Sequence, residues 1–318
     1  MDFELEIIVW LQSFRSDFFD ALFQFFTMFG EELVIIGILG FIYWCYDKKT
    51  GEQIGITVFI SLVLNSVIKT IVQRQRPYLV DSRIDNVRPA TSGGYSFPSG
   101  HTQGAASVFG SLAIWMKKRW LTVVTTVIIV LVAISRMYIG VHFLSDVIVG
   151  GLLGVGIAYL GYRYFSKDRP TDKLYRYLLI GSIAIGIIFY IYSLFTIQAT
   201  DELNNAANLH DKLVDVLKML GVICGFIAGV TFEKSKVKFT QHKVLWKNLI
   251  RFALGVAVVM GVRLGLKVVF GIFVDSDELA EGELFLASLA LLFDTVRYFA
   301  MVFIGIGVYP MIFKSLDI

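Results

Sequence analysis

Long runs of apolar residues, separated by short polar connections, repeat along almost the whole chain. A helix needs about 20 such residues to cross the roughly 30 Å of hydrocarbon in a bilayer. The pattern therefore predicts an all-α fold, a polytopic bundle of transmembrane helices. The nine predicted spans lie near residues 31–46, 54–73, 101–116, 120–136, 143–163, 175–195, 212–231, 247–273 and 285–313.

The start of the chain follows a different pattern. Residues 3–29 are amphipathic, and Ser13, Arg15, Ser16 and Asp17 interrupt them. Such a stretch is typical of a helix that lies in the membrane interface, or of a broken additional span.

Composition supports the membrane assignment. Hydrophobic residues make up 56% of the 318 residues and charged residues only 17%, and the mean hydropathy is +0.69. These values exclude an ordinary soluble domain. The bilayer is the expected partner, and no nucleic acid is expected. Both cysteines, Cys45 and Cys224, fall inside apolar runs, where a free thiol behaves as a small hydrophobe.

Basic residues in the connections predict the orientation, because Lys and Arg stay preferentially on the cytoplasmic side. The connections that share one side carry Lys48 and Lys49, residues 117–119, 163–176 and 234–251, and Lys314. We assign that side to the cytoplasm. The other side receives the loops at 74–100, 137–142 and 196–211 and the acidic stretch at 275–278.

One loop breaks this rule. The loop at 74–100 carries Arg74, Arg76, Arg83 and Arg88 on the predicted outer side. An exception of this kind indicates that the charges have a function, and binding of an anionic substrate is the simplest one.

Two cations close the second predicted span. Lys69 and Arg76 are seven residues apart, or about two helical turns, so they share one face as long as the helix continues toward Pro77. Both are then able to converge on one anion.

A Ser-Gly-His sequence opens the third span. Ser99, Gly100 and His101 precede an apolar helix. The free backbone N–H groups and the positive end of the helix dipole favour phosphate oxygens there, and Gly100 permits close approach of the backbone.

The connection between the fourth and fifth spans carries the remaining polar groups. Ser135 and Arg136 are followed by His142 and Asp146. The two last residues are four apart, so their side chains adjoin on a helix, and the carboxylate is able to orient the imidazole. Singly, such groups are often only snorkelling cations or helix caps. Together, at one depth on one side, they indicate a site.

These three stretches, Lys-x6-Arg-Pro, Pro-Ser-Gly-His and Ser-Arg-x5-His-x3-Asp, resemble the motifs of the type 2 phosphatidic acid phosphatase (PAP2) superfamily at every position. The resemblance covers roughly residues 31–163. That superfamily includes lipid phosphate phosphatases, undecaprenyl diphosphate phosphatases, glucose-6-phosphatase and the soluble vanadium haloperoxidases. The nine spans, with the N-terminus outside, are also similar to the glucose-6-phosphatase arrangement.

The resemblance implies a role for each motif residue. His142 attacks phosphorus and forms a phosphohistidine, Asp146 orients it, and His101 protonates the leaving oxygen. The groups expected to hold the phosphoryl oxygens are Lys69, Arg76, Ser99, Gly100 and Arg136. The family's chemistry implies no metal and no cofactor.

The motifs divide the chain. Residues 1–163 form the expected catalytic core, and residues 164–318 form C-terminal transmembrane helices of unassigned role, with no recognised motif. Gly221, Gly225 and Gly229 form a small-residue ladder there, which favours close helix packing within the bundle over an oligomer interface.

The C-terminal spans also carry charges. Arg263 and Lys267 lie four apart on the eighth span, and Asp294 and Arg297 three apart on the ninth. Charges at that depth are costly, so we expect them to face the interior and pair. Two interpretations remain: an internal ion-pair network, or an additional substrate-binding group in which Arg263 and Lys267 hold a second phosphate or an anionic head group.

The expected function is therefore hydrolysis of a lipid phosphate or polyprenyl (undecaprenyl-type) diphosphate at the non-cytoplasmic face of the cell membrane. A phosphatase of a soluble sugar phosphate is the first alternative, and a non-catalytic lipid-binding or transport protein is the second. The lipid chain, the number of phosphates and the oligomeric state stay open.

Overall fold

The computed structural model of the protein describes residues 2–89, 92–167, 169–199, 206–274 and 284–316. Within these ranges the chain forms helices and no β-strand. The acidic stretch at 275–278 and residues 200–205 of the predicted loop at 196–211 lie outside the described residues. The helices are α1 Asp2–Gln12, α2 Asp17–Thr27, α3 Glu32–Phe41, α4 Lys48–Val72, α5 Pro77–Val80, α6 Gly100–Met116, α7 Arg119–Tyr138, α8 Leu144–Phe165, α9 Thr171–Ala199, α10 Ala206–Phe232, α11 Leu245–Gly271, α12 Leu284–Phe303 and α13 Ile312–Ser315.

The predicted all-α transmembrane architecture is confirmed, whereas the count of nine spans is not. Seven helices in the described part are long and apolar enough to cross a membrane. An eighth span results if the pair 17–30 and 32–46, which bends by 51°, is counted as one. The remaining predicted span, at 101–116, corresponds to α6, which has only 17 residues and is thus about 26 Å long.

The chain divides into two compact units. The first contains residues 1–39 and 53–169, and the second contains residues 40–52 and 170–318. This division lies near the domain boundary expected after residue 163, but it places the segment 40–52 with the C-terminal helices.

Helix α6 is the centre of the first unit. A continuous run of it, residues 102–111, is buried. Two of its polar side chains, Gln103 and Ser107, pair with α4. Asn65 Nδ2 donates to Gln103 Oε1 at 2.8 Å, and Gln103 Nε2 donates to the Ser61 carbonyl at 2.7 Å. Ser107 Oγ lies 2.6 Å from Ser61 Oγ. Buried hydrogen bonds of this kind fix the register of one helix on another.

Helices α6 and α8 cross closely because α8 carries glycines at the crossing. A Cβ atom on Gly154 would lie 2.6 Å from Ala106 Cβ, and one on Gly150 would lie 2.8 Å from the Ser99 carbonyl oxygen. Both distances are shorter than a carbon atom tolerates. This close approach brings the first turn of α8 against the first turn of α6.

The N-terminal residues 2–27 form two helices that belong to the first unit. Leu5 and Ile8 of α1 are buried in a cluster with Ile84, Met137 and Phe143. Helix α2 packs against α7. Its C-terminal residue Thr27 is fully buried.

In the second unit, α10 packs against α9 and α12. A Cβ atom on Gly221 would lie 2.5 Å from the Thr295 carbonyl oxygen, and one on Gly225 2.4 Å from that of Phe299. A Cβ atom on Gly229 would lie 3.1 Å from Ile306 Cβ, a less severe but still tight contact. The glycine ladder thus lies in an internal helix contact.

We predict that Gly154→Ala destabilises the protein, because the added methyl group has no space between α8 and α6. Overpacking of this kind costs about 1–3 kcal/mol. Gly156→Ala on the same helix is the matched control, since nothing lies within 4 Å of a Cβ atom there. Thermal unfolding in detergent should show a lower Tm for Gly154→Ala alone. Equal Tm values for the two variants would contradict this account of the α6–α8 contact.

Candidate active site

The three sequence motifs meet at one end of the first unit. Arg76 Nη1 lies 3.4 Å from His142 Nε2. The Ser99 backbone N–H donates to the Asp146 carbonyl at 3.0 Å. A Cβ atom on Gly100 would lie 4.0 Å from Lys69 Cε. Residues from α4, α6 and α8 and from the connections between them therefore surround one small volume.

His142 lies in the connection between α7 and α8 and is only 1% exposed. Its Nδ1 lies 3.4 Å from Asp146 Oδ2, and its Nε2 faces Arg76. An ionised carboxylate only accepts hydrogen bonds, so Nδ1 carries the proton and donates. The lone pair of Nε2 is therefore directed toward the guanidinium group.

The turn that carries His142 depends on a glycine. Gly140 has a φ of +80°, in the left-handed region, and a Cβ atom there would lie 2.2 Å from the Asp85 carbonyl oxygen. Both the left-handed φ and the lack of space for a Cβ atom disfavour any residue other than glycine at this position.

Asp146 is fully buried, and contacts to both carboxylate oxygens orient it. Oδ1 accepts from Arg74 Nη1 at 2.8 Å, and Oδ2 accepts from the Phe143 backbone N–H at 2.9 Å. The second contact closes the first turn of α8. The same oxygen faces His142 Nδ1, so the helix start and the imidazole share one acceptor.

Arg76 is held by the backbone of two loops. Its Nε donates to the Gly94 carbonyl at 2.9 Å, and its two Nη atoms donate to the carbonyls of Val141 at 3.0 Å and Gly93 at 2.5 Å. The side chain is 2% exposed. The loop before α6 and the loop before α8 thus fix the guanidinium beside His142.

The route by which Lys69 and Arg76 converge differs from the sequence-based expectation. Helix α4 ends at Val72, Gln73 has a left-handed φ of 51°, and Arg76 is extended. Pro77 begins α5 and disfavours a helical conformation in the residue before it. A turn after α4, and not a continuous helix face, therefore brings Arg76 to the site.

The second motif forms the start of α6. Ser99 is its N-cap, and its Oγ accepts from the Thr102 backbone N–H at 3.4 Å. His101 follows in the first turn. Its Nε2 atom is buried and makes no hydrogen bond to the described residues.

A further buried cation lies near the end of α7. Arg136 is 0% exposed, and its Nη1 donates to Thr27 Oγ1 at 3.0 Å. Burial lowers the pKa of His142 well below its usual value, and the positive charges of Arg76, Arg136 and Lys69 lower it further. The imidazole of His142 is therefore neutral at pH 7.

Two site residues were not identified as such from the sequence. Arg74 was noted only as one of four arginines in its loop, and nothing in the spacing linked Glu4 to the motifs. The structure joins Arg74 Nη2 to Glu4 Oε2 at 2.9 Å. The only available signal was the unusual placement of Arg74 on the predicted outer side.

The expected grouping of Arg263 and Lys267 with Asp294 is not what the structure shows. Asp294 pairs with Arg297 and lies 3.3 Å from His210 Nε2 and 3.6 Å from Lys218 Nζ. The glycine ladder draws α10, and not α11, against this face of α12, so α10 supplies the partners. Lys267 is exposed. The substrate-binding role of Arg263 and Lys267 stays a prediction.

Comparisons with known proteins assign the family. A model of the PAP2 superfamily matches residues 53–170, and a second model, the transmembrane extension of PAP2 superfamily phosphatases, matches residues 217–318. The chain is 30% identical over 156 residues to undecaprenyl-diphosphatase of Sulfolobus acidocaldarius, covering 49% of this chain and 74% of that protein. The chain therefore belongs to the PAP2 superfamily. This confirms the expected family and, with it, the expected enzyme class, a phosphatase.

The chain is also similar to one protein sequence and one crystal structure from Bacillus subtilis. Phosphatidylglycerophosphatase B of Bacillus subtilis is 33% identical over 138 residues, which are 40% of this chain and 64% of that protein. The crystal structure of a transmembrane PAP2 type phosphatidylglycerolphosphate phosphatase from the same species has a TM-score of 0.45 and 26% identity, covering 53% of this chain and 87% of that one. The match to residues 217–318 also shows that the C-terminal helices carry a family pattern that sequence inspection missed.

We predict that the acid limb of kcat/KM, which reports groups of the free enzyme, lies below pH 6.5, the ordinary pKa of histidine. A lowered pKa keeps His142 neutral, and so nucleophilic, as the pH falls through that value. The profile should be measured with two substrates that differ in their second phosphate ionisation. A limb that stays constant between them belongs to the enzyme, and a constant limb at or above pH 6.5 would contradict the prediction.

Proposed function

We propose that the protein is a metal-independent phosphatase that hydrolyses a lipid phosphate or a polyprenyl diphosphate through a phosphohistidine. One observation carries the proposal: His142 Nε2 lies 3.4 Å from the fixed guanidinium of Arg76, while the opposite ring nitrogen, Nδ1, faces Asp146 Oδ2 at the same distance. A phosphoryl group bound by Arg76 is then placed directly in front of the nucleophile.

In the first step, His142 Nε2 forms a bond to phosphorus as the bond to the bridging oxygen breaks. The developing imidazolium is stabilised by Asp146 through Nδ1–H. His101, in its protonated form, gives its proton to the leaving oxygen, which departs as the lipid alcohol or the lipid monophosphate. General acid catalysis of this kind contributes about 10² to 10⁴ in rate.

In the second step, water attacks the phosphohistidine. His101 is now neutral and accepts a proton from the water, and the bond between phosphorus and Nε2 breaks. Inorganic phosphate leaves, His142 is restored as the neutral imidazole, and His101 is protonated for the next cycle.

Cations and backbone donors stabilise the charge that spreads over the phosphoryl oxygens in both transition states. The groups proposed for this are Lys69, Arg76, Ser99, the Gly100 amide and Arg136. Burial of the arginines strengthens their effect, since the effective dielectric constant of a protein interior is lower than that of water.

The relatives support a lipid substrate. Their names specify phosphatidylglycerophosphate and undecaprenyl diphosphate, both of which carry a phosphate on an apolar tail. The site lies at one end of a unit whose helices are long enough to span a bilayer, a position that a tail-anchored phosphate is able to reach from within the membrane. The basic connections that flank the opposite ends of these helices support an active site on the non-cytoplasmic face.

We predict that His142→Ala abolishes release of inorganic phosphate from a polyprenyl diphosphate and from a lipid monophosphate in detergent, because it removes the nucleophile. His242→Ala, a histidine of the second unit, is the control and should keep wild-type activity. The activity of the wild-type protein on these two lipid substrates should exceed its activity on a soluble sugar phosphate. It should also persist in excess chelator. Release by folded His142→Ala, or loss in chelator reversed by a divalent cation, would refute the mechanism.

We predict opposite sidedness for two engineered cysteines. Ser82, in the loop between α5 and α6, and Lys118, between α6 and α7, are both exposed. In intact cells an impermeant maleimide should label Ser82→Cys and not Lys118→Cys, with the parent protein giving the background from Cys45 and Cys224. The reverse labelling pattern would place the site at the cytoplasmic face.

A further inference from the structure

We propose that Glu4 and Arg74 are positioning residues that, together with Asp146, hold the nucleophilic histidine. The inference rests on the proposed function, in which His142 is the nucleophile. Neither residue is a specified position of the three motifs: Arg74 is one of the six unspecified residues between Lys69 and Arg76, and Glu4 lies far from the motifs in the sequence, on α1.

Arg74 links two carboxylates. Its Nη1 donates to Asp146 Oδ1 at 2.8 Å and its Nη2 donates to Glu4 Oε2 at 2.9 Å. The guanidinium carbon lies 3.8 Å from the centroid of the Phe143 ring, which covers one face of the group. Charge-assisted contacts on both edges and a ring on one face leave the guanidinium little freedom.

Glu4 binds the same segment a second time. Its Oε1 accepts from the Ser145 backbone N–H at 2.7 Å, while Arg74 Nη1 also lies 2.7 Å from Ser145 Oγ. Ser145 directly precedes Asp146 in the first turn of α8. Glu4 therefore holds the backbone beside Asp146 directly and the Asp146 carboxylate through Arg74.

Helix α1 is itself anchored, so Glu4 has a fixed place. Leu5, the next residue, and Ile8 are buried against Phe143 and Val147. Burial alone would raise the pKa of Glu4, but hydrogen bonds from Ser145 and Arg74 hold it below its ordinary value. Glu4 is thus ionised at neutral pH.

Charge gives the two residues opposite electrostatic effects on His142. The positive charge of Arg74 partly neutralises the negative charge of Asp146 and so disfavours a positive charge on the imidazole. The negative charge of Glu4 offsets the positive charge of Arg74. Removal of Glu4 should therefore lower the pKa of His142, and removal of Arg74 should raise it. The other charged or titratable groups that act on His142 are Lys69 of α4, Arg76 before α5, His101 of α6 and Arg136 of α7.

The experiment compares Glu4→Gln and Arg74→Met with Glu6→Gln. Glu6 is the matched control, because it lies on the same helix and pairs with Arg83 at 2.7 Å, but both side chains are more than half exposed. We expect kcat on the lipid substrate to fall on the order of 10- to 100-fold in the first two variants, as misplacement of a catalytic group does, with KM nearly unchanged. The control should keep wild-type kcat.

The acid limb of kcat/KM supplies a readout that a merely structural role would not move. It should shift to lower pH in Glu4→Gln and to higher pH in Arg74→Met. Loss of kcat with no shift, or with shifts of the same sign, would overturn the proposal and would identify the two residues as structural.

The outcomes also separate this inference from the proposed function. If Glu4→Gln resembles Glu6→Gln in kcat and in pH profile while His142→Ala is inactive, the positioning role is wrong and the phosphohistidine mechanism stands. If folded His142→Ala still releases phosphate, the proposed function fails, and with it the reason for any positioning of that side chain.

Discussion

The first unit depends on one buried carboxylate. Asp146 joins the start of α8, the loop after α4 and the imidazole of His142 through its two side-chain oxygens. Its backbone carbonyl accepts a hydrogen bond from the N–H of Ser99 at the start of α6. A buried charge is tolerated only when it is paired and hydrogen-bonded. The same contacts that satisfy Asp146 therefore also set the relative positions of three motifs, so stability and site geometry share one cause.

The second constraint is the accumulation of positive charge. Arg76 and Arg136 are nearly inaccessible to solvent, and backbone carbonyls or a hydroxyl contact them through the hydrogen bonds described above. The positive charges of both arginines lower the pKa of His142. A site of this kind attracts an anion, and it keeps the neighbouring imidazole neutral.

Much of the first unit was predictable because its signals are local. Hydropathy indicates helices, Pro-Ser-Gly-His marks the start of α6, and the four-residue spacing of His142 and Asp146 indicates that they touch. Local signals did not predict the bend between α2 and α3. They also did not predict that α6 has only 17 residues, because α6 is covered by protein and needs no full apolar span. Glu31 also shows the limit: it pairs with Arg88, a partner that no sequence spacing relates to it.

The sequence by itself determined the class of fold and the family, and it indicated the candidate site residues, since short motifs and apolar runs record these within a few helical turns. Only the tertiary structure decided which groups support them. Glu4 reaches Arg74 across a sequence separation of 70 residues, and Asp294 pairs with α10 because glycines bring that helix nearest. Such partners are chosen by the packing of whole helices, and the energy of that packing is distributed over many contacts that no single stretch of sequence contains.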